Sequence, residues 1–129
     1  MFSVGGKGFL EDVAREAEKR GLKVELRESV LKAVNPDLPI GVEVKVGGNT
    51  AEIKLIAKDN LEEDIREYAE EEELSDVREA VEEILETAIA VVDYAVKAAE
   101  RSGFKVVRKT RQTILDVYEA IDSYEESRE

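Results

Sequence analysis

Residues 75–101 read SDVREAVEEILETAIAVVDYAVKAAER. Val77, Val81, Ile84, Ala88, Val91 and Ala95 are spaced 4, 3, 4, 3, 4, and Leu85, Ile89, Val92, Val96 and Ala99 repeat that rhythm. Both rows fall on one side of an α-helix and lie side by side, so the apolar face is broader than a single seam. Ser75 is the expected N-cap, with Asp76 and Glu79 where the helix dipole favours negative charge. Lys97 and Arg101 stand in the last turns, and Gly103 follows as the residue expected to break the helix. About 27 residues at about 1.5 Å each give a helix about 40 Å long.

From Thr87 to Ala99 the segment is apolar almost all round, interrupted only by Thr87 itself, Asp93, Tyr94 and Lys97. Such a helix needs cover over most of its circumference. A sheet covers one side, and the other side calls for a further helix or a second copy of the chain. The small and branched residues Ala88, Val91, Val92, Ala95, Val96 and Ala99, with Tyr94, are therefore the candidate self-association surface. No stretch of about 18 uncharged residues exists, so a membrane span is not expected. The heptad rhythm is also too short for an extended coiled coil.

Working outward, Phe9–Arg20 reads as a helix with Leu10, Val13, Ala14 and Ala17 inward and Gly21 as its stop. Leu22–Arg27 alternates apolar and charged residues, as a half-buried strand does. Ser29–Val34 reads as one or two helical turns before Asn35-Pro36. Ile40–Val46 and Thr50–Ala57 alternate again around Gly47-Gly48-Asn49, a hairpin signal. Asn60 and Glu63 suggest a capping-box variant opening a helix with Leu61, Ile65, Tyr68 and Ala69 inward. Phe104–Lys109 reads as a fourth strand. Thr110 is the expected cap of a last helix that buries Ile114, Val117, Tyr118 and Ile121, with residues 123–129 fraying. The expected fold is α+β: a single domain over residues 1–129, in which an approximately four-stranded, largely antiparallel sheet packs on the long helix and its flanking helices.

Of the 129 residues 39% are charged, with 31 acids against 19 bases and a net charge of −12. Many charges with few thermolabile residues match the composition of thermophile proteins. The chain has no Cys and no His. Disulfides, thiolate nucleophiles, nitrogen- or sulfur-ligated zinc and a histidine base are thereby excluded within one chain. No signal peptide is visible, and the expected location is cytoplasmic.

Charge is unevenly spread. Residues 59–79 hold eleven acids and two bases, whereas residues 97–111 hold six bases and one acid. Lys105, Arg108, Lys109 and Arg111 form a candidate anion-binding group at a strand-to-helix turn. Opposed to this is a solvated strand face pairing with the acidic segment 59–73. Gly5-Gly6-Lys7-Gly8 reads as a loop, a possible anion nest that does not fit the phosphate-loop pattern. Glu79, Glu82, Glu83 and Glu86 oppose the apolar stripe and read as solvated rather than metal-binding. Asp93 is either a shifted acid–base group or the i,i+4 partner of Lys97.

Together these features predict a non-enzymatic binding or scaffold protein, without cofactor or metal, that forms a homodimer and has a possible further protein partner. Nucleic acid is disfavoured by the total charge. The alternatives are a phosphate- or nucleic-acid-binding protein using residues 105–111 and, third, a carboxylate- and Mg²⁺-dependent enzyme.

Overall fold

The computed structural model describes residues 3–128, with side chains from Lys7 onward. The elements in chain order are α1 (Ser3–Lys19), β1 (Lys23–Arg27), β2 (Val30–Val34), β3 (Ile40–Gly47), β4 (Thr50–Ala57), α2 (Leu61–Glu71), α3 (Val77–Arg101), β5 (Lys105–Lys109) and α4 (Arg111–Ser127). The five strands lie in the order β1-β2-β3-β4-β5. The first four form an antiparallel meander, and β5 joins β4 in parallel after the crossover through α2 and α3. The fold is α+β, with the long helix packed on an open, mostly antiparallel sheet.

Of the three connections in the meander, β1–β2 and β3–β4 turn through two residues each. Gly48 has φ of 60° and stands first in the β3–β4 turn, where only glycine takes a positive φ freely. The β1–β2 turn instead places Glu28 at φ of 49°. A left-handed glutamate carries no turn signal, which is why Ser29–Val34 reads as helix in the sequence and is in fact the strand β2. Its Val30 and Val34 also face outward, so the alternation is hidden.

The register sorts the side chains cleanly. Val24, Ala33, Val42 and Leu55 form one inner row. Leu26, Leu31, Val44, Ile53 and Arg108 form the next, and Val46, Ala51 and Val106 a third. α3 lies across β3, β4 and β5 on this side, with α1 beside it over β1 and β2 and with α2 and α4 near its start. The N-cap of α3 is Asp76 rather than Ser75: its carboxylate accepts the Glu79 N–H at 3.0 Å. Its end is a Schellman motif in which Phe104 N–H reaches the Ala99 carbonyl, Gly103 N–H reaches Glu100, and Gly103 has φ of 85°.

Three further expectations are corrected. Gly5-Gly6-Lys7-Gly8 lies within α1, so its backbone is helical and forms no loop or nest. Asn60 and Thr110 occupy the N-cap positions of α2 and α4 but make no side-chain cap, Asn60 because it is itself left-handed at φ of 63°. α4 continues to Ser127 instead of fraying from 123, since Tyr124 is buried against the core and holds the last turns.

Gly41 sits in β3 opposite Val34 of β2. A Cβ there would fall on the Ala33 carbonyl oxygen and 2.7 Å from the Val34 Cα, whereas the same atom at Gly47 meets open space. Backbone cannot yield as a flexible side chain can. Gly41→Ala is therefore expected to destabilise by about 1–3 kcal/mol, the usual cost of overpacking, while Gly47→Ala changes stability by about 0.5 kcal/mol or less. Urea midpoints of the two variants test this contrast.

Candidate anion-binding surface

The residues proposed for self-association divide. Ala88, Val91, Val92, Ala95 and Ala99 are fully buried within one chain, and only Tyr94 and Val96 remain half-buried. Of the two covers expected for this half of the helix, a further helix or a second copy, the chain's own sheet and flanking helices supply the first. Tyr94 donates its hydroxyl to Asp12 Oδ1 of α1 at 2.7 Å, and this bond raises its pKa. Tyr118 of α4 similarly donates to Glu82 at 2.7 Å. Arg78 ties the start of α3 to Glu125 of α4 at 2.7 Å.

The basic segment divides too, because a strand alternates its faces. Arg108 points inward and meets Asp93 of α3 at 2.8 Å. Asp93 is thus the partner of Arg108, not of Lys97. Lys105 and Lys109 point to the opposite face, where Lys109 reaches Glu52 of β4 at 3.1 Å. The acids that pair with this segment are therefore Asp93 and Glu52, and not those of residues 59–73. Among the described residues, Lys105 and Arg111 have no acid within 4.0 Å.

Lys105 and Lys109 belong to a larger surface. The outer face of the sheet carries four rows: Lys23, Val34, Gly41 and Ile56; Glu25, Lys32, Glu43, Lys54 and Lys109; Arg27, Val30, Lys45, Glu52 and Val107; and Gly47, Thr50 and Lys105. Apart from Gly41, all of these are half-buried or exposed. The face bears seven bases and three acids, a surplus of four positive charges on a chain of net charge −12. It contains no aromatic residue. Each glutamate has a neighbouring base: Glu25 with Arg27 at 3.8 Å, Glu43 with Lys45 at 3.8 Å, and Glu52 with Lys54 at 3.9 Å as well as with Lys109.

This surface turns the corner at the start of α4. A cleft of about 530 Å³ there is lined by Lys54, Arg108, Lys109 and Arg111 with Thr110, Gln112 and Thr113, and by no acid. The first turn of α4 likewise holds no acid. Thr113 is held in place by donating its hydroxyl to the Leu55 carbonyl at 2.8 Å. The hydrophobic alternation of β4 and β5 was readable from sequence, but the basic face was not. Its seven bases come one or two from each of the five strands, and only the register assembles them.

Among the described residues, no group of three or more acids is placed to hold a metal ion, and no helix is long and apolar enough to cross a membrane. Comparison with protein-family models, with curated proteins and with solved structures finds no match.

Glu52 reports on the electrostatics of the face. Its hydrogen bond to Lys109, then the charges of Lys109, Lys54 and Lys45, hold its carboxyl below the ordinary value of 4.5. A depressed carboxylate adds stability above that ordinary value, and the contribution is lost as pH falls through the lower folded-state value. Glu52→Gln is expected to lower the melting temperature at neutral pH and to flatten its fall on the acid side. Melting curves between about pH 3 and 7 measure both.

Proposed function

We propose that this protein is a non-catalytic binding protein whose basic sheet face docks an acidic protein partner. The observation that carries the reading is the positive surplus on the outer sheet face of an otherwise strongly acidic chain. Segregated charge of this kind steers complementary partners and sets the orientation of docking. This reading moves the contact surface away from the buried half of α3 and absorbs Lys105, Lys109 and Arg111.

Three features favour protein over nucleic acid. Glu25, Glu43 and Glu52 stand among the bases, where a phosphate backbone would find repulsion and a protein can supply cations. The face offers no aromatic platform on which a base could stack. The remaining surface is acidic and repels a polyanion that runs beyond the face. A binding rather than a catalytic role is supported by the absence of His and Cys from the sequence and by acids that sit on helix surfaces and in exposed pairs.

Titration with poly-glutamate and with duplex DNA, each at low and physiological salt, tests the proposal. Poly-glutamate is expected to bind with an affinity that falls as salt rises. Lys32→Gln combined with Lys45→Gln should weaken it by about 1 kcal/mol, roughly fivefold, at the usual worth of exposed charge contacts. Tighter binding of DNA than of poly-glutamate at the same salt would contradict the proposal.

A further inference from the structure

The sheet is open at β5. One side of the strand pairs with β4, and no other strand pairs with it among the described residues. Four of its five residues are exposed, including Val107 at 41%. An edge of this kind offers a row of free backbone N–H and C=O groups to another extended chain. Every charged residue on β5 is a cation: Lys105 and Lys109 on the outer face, Arg108 on the inner. At the opposite edge, β1 carries Lys23, Glu25 and Arg27, so only β5 has a one-signed edge.

A second copy of this chain is a poor occupant. Two β5 strands paired antiparallel about a twofold axis at Val107 would set each Lys105 against a Lys109, and like charges directly opposite are destabilising. The same operation at β1 sets Glu25 against Glu25 and Lys23 against Arg27.

On the inner side of the β5 edge, apolar residues flank the Arg108–Asp93 pair. Asp93, which meets Arg108, shares its helical stripe with Ile89 and Val96, spaced four before and three after. Ile89, Val96 and Val106 are all only half-buried. A strand laid beside β5 would turn alternate side chains toward this shelf and the others toward Lys105 and Lys109.

Resting on the binding role proposed above, we infer that β5 takes an extended partner segment by strand addition, and that the segment alternates acidic with aliphatic residues. Its acids meet Lys105 and Lys109, its aliphatic side chains cover Ile89, Val96 and Val106, and its backbone completes the edge. This is strand augmentation, in which main-chain bonds supply affinity and alternate side chains supply selectivity.

The test uses the full chain and a capped heptapeptide of alternating glutamate and valine, with the lysine–valine heptapeptide as control, followed by amide hydrogen exchange. With peptide at about ten times its Kd, exchange at alternate N–H groups of residues 105–109 is expected to slow about tenfold. Lys105→Glu, which disturbs no ion pair among the described residues, should weaken peptide binding by about five- to tenfold, as one exposed attraction becomes a repulsion. The lysine–valine peptide should not bind.

Peptide binding that is sensitive to Lys32→Gln with Lys45→Gln, but leaves exchange at β5 unchanged, would place the segment on the sheet face. That result overturns strand addition and leaves the proposed binding role standing. Failure of both poly-glutamate and the peptide to bind overturns both. Protection of β5 that rises with protein concentration alone would make a second copy the occupant and overturn the inference, as would equal binding of the lysine–valine peptide.

Discussion

The structure depends on covering a helix that is apolar round most of its girth. α3 buries Val77, Val81, Ile84, Leu85, Ala88, Val91, Val92, Ala95, Ala98 and Ala99. Full burial of a branched aliphatic side chain contributes roughly 1.5–3 kcal/mol, whereas an exposed ion pair contributes about 0–1 kcal/mol. The many surface ion pairs therefore tune the molecule, and the α3 contacts hold it together. The alanines matter as much as the valines. Ala88, Ala95 and Ala99 let neighbouring backbone approach closely, so sheet and helices can surround α3 within a short chain.

The same demand shapes the rest of the surface. All four helices are drawn to the inner side of the sheet, which leaves the outer face open. A strand with one buried face alternates strictly, so the open face collects whatever polar residues lie between the core positions. Here those residues are mainly lysine, and the helices carry the acids. The molecule thus has two sides of opposite charge although its net charge is far from zero. Along the sheet centre the glutamates lie between bases on neighbouring strands, which fixes the local pairing. At β5 no glutamate alternates along the strand, and the acids that meet its cations, Asp93 and Glu52, come from α3 and β4.

Much of the fold was legible because local chemistry and global packing agree. The rows of α3, the alternation of β3 and β4, the glycine-bearing β3–β4 turn and the stops at Gly21 and Gly103 all carry their structure in short-range spacing. What was hidden had contrary or silent signals. Glu28 makes a turn in a conformation that glutamate seldom adopts, and β2 has valines on its exposed face, so a strand passed for helical turns. Crowding at Gly41 depends on the neighbouring strand and cannot be seen within β3 itself. The candidate site was half legible for the same reason. The run from Lys105 to Arg111 is visible as composition, but strand geometry turns Arg108 inward to Asp93 and joins Lys105 and Lys109 to lysines up to about 80 residues away in sequence. The apolar half of α3 left a different question open. Periodicity reports that a surface must be covered, not whether the same chain or another covers it.

One chain covers its own long helix and leaves the sheet face free. Thermal melting over a hundredfold range of protein concentration tests it most directly, because stability gained from a second copy rises with concentration by mass action. If the chain alone closes over Val91, Val92 and Ala95, the melting temperature stays constant across the range. A melting temperature that climbs steadily with concentration would mean that folding is coupled to association, and that the long helix draws part of its cover from another molecule.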